Sequence, residues 1–218
     1  MNKRHVVMMA AAVLVLWCGM AYAQERKGFA IQVIGIDEQG WKYGFITGIT
    51  GYPPDHMMDN LKIPQLINGM RVLGINGDAF RKRGITVLDL GDDLAVIGAG
   101  AFAENNLTGV SVNADEIYPL AFADNKITRI ELGGKVENIW GGAFLGNPVT
   151  AIVIGANVEI GRLGTNGDTI DLSGIYSGGD YVDAFGFSGS ASFFEYYNRN
   201  GKKAGTYTWD GARWNRRP

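Results

Sequence analysis

The sequence predicts a repeat solenoid, mainly β, with short parallel strands and a β-hairpin cap at each end. Three observations carry that prediction. Ala-Phe recurs at Ala79-Phe80, Ala101-Phe102, Ala121-Phe122 and Ala143-Phe144, with spacings of 22, 20 and 22 residues. The chain holds 32 glycines without a Gly-X-Y period, so it is rich in tight turns and is not a collagen. It is 46% hydrophobic and 19% charged over 218 residues, enough to bury a sizeable core.

The repeat is deeper than the dipeptide. Five positions before each Phe stands Ile75, Ile97, Ile117 or Ile139. Five, eight and ten positions after it stand Ile85, Leu88 and Leu90, then Leu107, Val110 and Val112, then Ile127, Ile130 and Leu132, then Val149, Ile152 and Ile154. Thr86, Thr108, Thr128 and Thr150 follow the first of each set. Asn105, Asn125 and Asn147 come three positions after the Phe, and Arg83 breaks that column in the first copy. In each copy the last two aliphatics alternate as a short strand with one face buried. One such unit has too little apolar surface for a core, so the copies must stack, with strands paired in parallel and Phe80, Phe102, Phe122 and Phe144 lying over one another. The Asn side chains are expected to satisfy backbone groups that the bend leaves unpaired, a structural task and not a ligand contact.

Units such as "LAVIGAGAFAENNLTGVSV" and "VENIWGGAFLGNPVTAIVI" resemble the BspA-like leucine-rich repeats of bacterial surface proteins. The resemblance covers residues 63–160 in about four to five copies, and "IPQLINGMRVLGINGDAF" resembles the family's lead-in to its first repeat. It implies a right-handed leucine-rich-repeat solenoid, secreted or displayed at the cell surface and engaged in adhesion or protein binding. The third copy departs from the pattern: it is two residues shorter and has Pro119 in place of Gly. Asn also stands where relatives often carry Cys.

Residues 1–23 read as a cleaved signal peptide. Lys3 and Arg4 precede an uncharged apolar run at residues 6–17, followed by the small-x-small site Ala21-Tyr22-Ala23. The run is shorter than the ~20 residues of a spanning helix, so no transmembrane span is expected in the mature chain. Cys18 invites a lipoprotein reading, against which the bulky Trp17 argues. Cleavage removes this only cysteine, which leaves a chain held by burial without disulfides and with 18 basic against 22 acidic residues, a net of −4. That balance offers no footprint for nucleic acid. Periplasm, cell surface or secretion follows as the expected location.

Open ends of a stack need covers. Residues 24–62 are read as an N-terminal β cap, with β-prone runs at 29–36 and 41–49 around Asp37-Glu38-Gln39-Gly40. Residues 161–218 are read as a degenerate repeat and C-terminal cap, in which 161–197 is repeat remnant plus loop. "TYTWDGARW" alternates around Asp210-Gly211, read as a two-residue hairpin turn, and with the segment before it resembles the tail of treponemal members of the family.

Chemistry is sparse. His56, the one histidine of the mature chain, lies in "PPDHMMDN" with no partnering nucleophile motif, and a single His makes no zinc or copper site. Asp168, Asp171, Asp180 and Asp183 occupy a Gly-rich stretch but miss the spacing of calcium loops. Gly98-Ala99-Gly100 lacks a following Lys-Ser/Thr, so no phosphate loop is read. No catalytic residue, metal or cofactor is assigned. The expected binding face is instead the ladder of outward strand positions: Val87 and Asp89, Gly109 and Ser111, Arg129 and Glu131, Ala151 and Val153. The aromatic tail, with Tyr196, Tyr197, Tyr207, Trp209 and Trp214, is a second candidate surface. The leading reading is a non-enzymatic binding protein with a protein partner. A structural envelope protein without a heterologous ligand, or a β-solenoid acting on carbohydrate, stand as alternatives.

Overall fold

A computed structural model describes residues 28–50, 58–160 and 193–218. The signal segment, His56, the Asp-rich stretch 168–183 and Ala184-Phe185 lie outside them. The described chain is mainly β, with fifteen strands in three sheets, none closed, and one short helix.

Each repeat copy contributes two strands, where the sequence reading expected one. The expected strand is the alternating pair: β6 (Val87–Asp89), β8 (Gly109–Val112), β10 (Arg129–Leu132) and β12 (Ala151–Ile154). The second is built on the Ile five positions before Phe: β5 (Met70–Ile75), β7 (Val96–Ile97), β9 (Glu116–Ile117), β11 (Asn138–Ile139), and then β13 (Glu159–Ile160). Strands β5, β7, β9, β11 and β13 pair in parallel with Ile75, Ile97, Ile117, Ile139 and Ile160 in one register row, every one buried. Strands β8, β10 and β12 pair in parallel as part of a second sheet.

The four Phe rings form one column inside the core. Phe80, Phe102, Phe122 and Phe144 are fully buried, with successive centroids 5.4, 5.4 and 5.1 Å apart and nearly parallel planes. Backbone bonds tie the same bend from copy to copy: the N–H groups of Phe80, Phe102 and Phe122 donate to the carbonyls of Ala101, Ala121 and Ala143, each at 2.8 Å. The residue before each Ala is left-handed, at Asp78, Gly100, Leu120 and Gly142. Leu120, at φ 59°, takes a conformation that suits glycine and strains a bulky side chain.

The Asn column bridges copies. Asn105 Nδ2 donates to the carbonyls of Phe80 and Phe102, both at 2.9 Å, and its Oδ1 accepts from the N–H of Arg83 and of Ile85. Asn125 repeats this with Phe102, Phe122 and the Leu107 N–H, and Asn147 with Phe122, Phe144 and the Ile127 N–H. Each Asn reaches back to the Phe carbonyl of the preceding copy. The first copy has no preceding Ala-Phe bend to hold, which accounts for Arg83 in the Asn column.

The ends are closed differently. β1 (Gly28–Ile36) and β2 (Lys42–Thr50) form an antiparallel hairpin whose turn is fixed by Asp37, and β2 continues the first sheet in parallel beside β5. β4 (Leu66–Ile67) folds back on β5 through Asn68-Gly69, both with positive φ. That Asn-Gly hairpin signal went unread in the sequence. At the other end β14 (Gly205–Trp209) adds antiparallel to β12, and β15 (Trp214–Arg217) to β14. The turn there spans Asp210 to Arg213 and not two residues: Trp209 pairs with Trp214, and Asp210 Oδ1 accepts from the N–H groups of Ala212 and Arg213. These bonds hold the longer turn and set the two indoles 5.7 Å apart. Residues 193–197, the end of the stretch read as repeat remnant plus loop, begin helix α1 (Phe193–Arg199), supported by the Glu195–Arg199 pair at i,i+4.

Candidate binding face

The outward positions of the second sheet sit in two register columns. Gly109, Arg129 and Ala151 align in one, and Ser111, Glu131 and Val153 in the other. Their alternating neighbours Val110, Ile130 and Ile152 are buried, so the pleat divides the strand residues between core and surface. Arg129 Nε lies 2.9 Å from Glu131 Oε1, with both side chains half exposed, which places a neutralised pair at the centre of an otherwise small and uncharged face.

Val87 and Asp89 do not continue these columns. β6 pairs in parallel with β3 (Asn60–Lys62), a strand the sequence reading missed, and the two form a separate sheet. β6 ends one residue earlier than β8, β10 or β12, at a turn where Asp89 Oδ1 accepts from the N–H of Gly91, itself at φ 64°. Asp89 is also 2.7 Å from Lys62 Nζ, and this hydrogen bond holds its carboxyl below the usual range, with the Gly91 N–H adding to the effect. Between Asp89 and Asp92 on one side and Ser111 and Asn113 on the other, the gap is a hollow of about 280 Å³.

The columns extend in the opposite direction. Thr208 aligns with Ala151 and Thr206 with Val153, and next to them stand Asn215 and Arg217. These four residues belong to the same face, and the alternation of Thr206 and Thr208 with Tyr207 and Trp209 was the signal that could have shown it. The aromatic tail is mostly absent from the surface. Tyr197, Tyr207 and Trp214 are buried, packed around Phe193, whose ring centroid is 5.2 Å from Tyr207 and 4.9 Å from Trp214. Tyr196 and Trp209 remain half-buried.

The outer face of the first sheet carries a polar cluster the sequence reading did not single out. Glu116 accepts from Asn138 Nδ2 at 2.7 Å and from Trp140 Nε1 at 2.8 Å, and Tyr118 stacks on Trp140 at 5.7 Å. Burial pushes the Glu116 carboxyl above its ordinary value, partly opposed by those two bonds. Toward the N-terminal end this face is apolar: Phe45 lies across Gly74, where a Cβ would meet its ring at 2.9 Å, and packs against Val96.

Asp89 and Glu131, the carboxylates that a carbohydrate-acting enzyme would need paired, lie in different sheets, each beside its own cation. Among the described residues no group of three or more His, Cys, Asp or Glu is placed to hold a metal ion, and no helix is long and apolar enough to cross a membrane. Comparison with family models, with curated proteins and with solved structures found no match.

Proposed function

We propose that this chain is an exported, non-enzymatic repeat solenoid of the right-handed leucine-rich-repeat type, similar to the BspA-like proteins, that binds a protein partner at the bacterial cell surface. The repeat unit supports the solenoid: two in-register parallel ladders, a stacked Phe column and an Asn at each bend that holds the copy before it. The leader-like residues 1–23 support export. The carboxylates at hand are engaged, Asp89 with Lys62, Glu131 with Arg129 and Glu116 with two donors, which favours binding over acid and base catalysis.

The observation that carries the reading is the exposed face of β8, β10 and β12, extended by Thr206, Thr208, Asn215 and Arg217 of the C-terminal hairpin. Its polar side chains are presented in straight columns on paired strands, the arrangement that repeat proteins use to meet a partner. The test is binding of the secreted chain to a panel of matrix and serum proteins by surface plasmon resonance. A partner that binds the native chain and is lost on Arg129→Glu, with the melting temperature unchanged, supports this face. Binding unaffected by Arg129→Glu, or glycan turnover lost on Glu131→Gln, overturns it.

A further inference from the structure

The first sheet ends in an edge strand that its sequence leaves unguarded. Among the described residues β1 pairs with β2 on one side only, and its other side presents backbone donors and acceptors along a strand of nine residues, about 30 Å. Its sequence, GFAIQVIGI, contains no charge and no proline. Natural edges are blunted by charges, proline or bulges. β15, the edge of the second sheet, has Arg216 and Arg217 followed by Pro218. The pairing of β1 with β2 shifts twice, between Ala30 and Ile31, where the extra residue Thr47 lies on β2, and at Ile34, where the extra residue lies on β1, so β1 itself carries no inserted residue from Gly28 to Val33. Val33, at 45% exposure, is a large apolar residue left half in solvent along that run.

We infer that a second copy of this chain adds to that edge, β1 against β1, antiparallel about a two-fold axis at Ile31. A two-fold interface sets the same patch against itself, so the patch must be self-complementary. Centred on Ile31, the run from Gly28 to Val33 meets that condition: Ile31 faces its counterpart, Phe29 faces Val33 twice, and Ala30 faces Gln32 twice. Phe29 and Ile31 already pack on the core, so this register lines up the inner faces of the two sheets and gives Val33 an aromatic cross-strand neighbour. No like charges meet anywhere along the run. The same operation at β15 would crowd Arg216 and Arg217 against their own copies, which is why the second copy is assigned to β1.

Sedimentation velocity of the secreted chain over a dilution series tests the pairing. A monomer–dimer equilibrium is expected, weakened at least about tenfold by Val33→Lys, with the melting temperature of the variant as a check on its fold. Ile31→Cys supplies an independent readout: the mature chain has no other thiol, and directly opposed residues on antiparallel strands have Cα atoms about 4.5–5.5 Å apart, within the span of a disulfide, which should form symmetrically under oxidation. A chain that sediments as a monomer throughout, a dimer that withstands Val33→Lys, or a dimer whose Ile31→Cys form does not cross-link overturns the inference. A monomer whose β1 binds a strand of a different sequence would assign the edge to a foreign partner instead.

Discussion

The two ends of the molecule solve one problem with different materials. At the N-terminal end a hairpin lengthens the first sheet and covers the Phe column with one ring, Phe29, set edge-on to Phe80 at 6.1 Å. At the C-terminal end a hairpin lengthens the opposite sheet, and beside it helix α1 brings Phe193 and Tyr197 onto Tyr207 and Trp214. Tyr197 adds polar anchoring: its hydroxyl donates to the Gly155 carbonyl at 2.6 Å and accepts from the Val158 N–H. The C-terminal lid is therefore cross-braced by its aromatic cluster and charged at its edge, whereas the N-terminal hairpin holds by the pairing of β2 with β5, the Asp37–Arg71 ion pair and burial along one side. A cover can thus be either a seal or a surface for further pairing.

The largest expected effect lies between the ends and sets the scale for both. Phe122→Ala empties a site enclosed by Phe102 and Phe144, and should cost about 3–5 kcal/mol in urea unfolding. Phe193→Ala at the braced end should cost a similar amount, while Phe29→Ala, a half-buried ring, should cost about 2 kcal/mol. Equal losses at Phe193 and Phe29 would erase the contrast. Asn125→Ala leaves the Leu107 N–H without its side-chain acceptor and takes one of two Asn donors from the carbonyls of Phe102 and Phe122, which keep Asn105 and Asn147, and should cost about 1–3 kcal/mol, read by the same unfolding. Tyr197→Phe removes one anchoring hydroxyl, for about 1 kcal/mol, and should speed amide exchange at Val158.

Leu120→Gly should change stability in the other direction, by about +0.5 kcal/mol, because relief of a left-handed Leu slightly exceeds the entropy that glycine adds to the unfolded chain. A loss in calorimetry would show that the Leu120 side chain matters more than its backbone. At low pH the C-terminal hairpin should loosen at its tip. The Arg213 N–H, the Asn215 amide and the Ala212 N–H hold the Asp210 carboxyl down to about 2. Because this folded value lies below the ordinary 3.8, the contribution is present above 3.8 and is lost as the pH falls toward about 2. A carboxyl carbon titration by NMR with its midpoint near 3.8 would contradict the turn geometry.

What the sequence disclosed was whatever repeats. Ala-Phe and Asn return at 20 to 22 residues, and a column that must occupy the same place in every copy can be counted without coordinates. What escaped was what occurs once. Nothing in the spacing tells that Val87 and Asp89 pair with β3, since β6 has the same alternation as β8 and differs by where Gly91 turns the chain. The face was read one strand too far at that end and two strands short at the other, where Thr206 and Thr208 were overshadowed by the aromatics between them. Glu116 and Trp140 went unnoticed because they meet only through neighbouring strands of the first sheet, 24 residues apart in the chain.

The claim on which the proposed solenoid stands is that each Phe packs on the Phe of the next copy, and a double-mutant cycle measures that contact directly. With Leu substitutions at Phe102 and Phe122, urea unfolding should give a coupling of about 0.5–1.5 kcal/mol. The same cycle at Phe80 and Phe144, with two rings between them, should be additive. Additivity at Phe102 and Phe122, within about 0.3 kcal/mol, would contradict the stacked column.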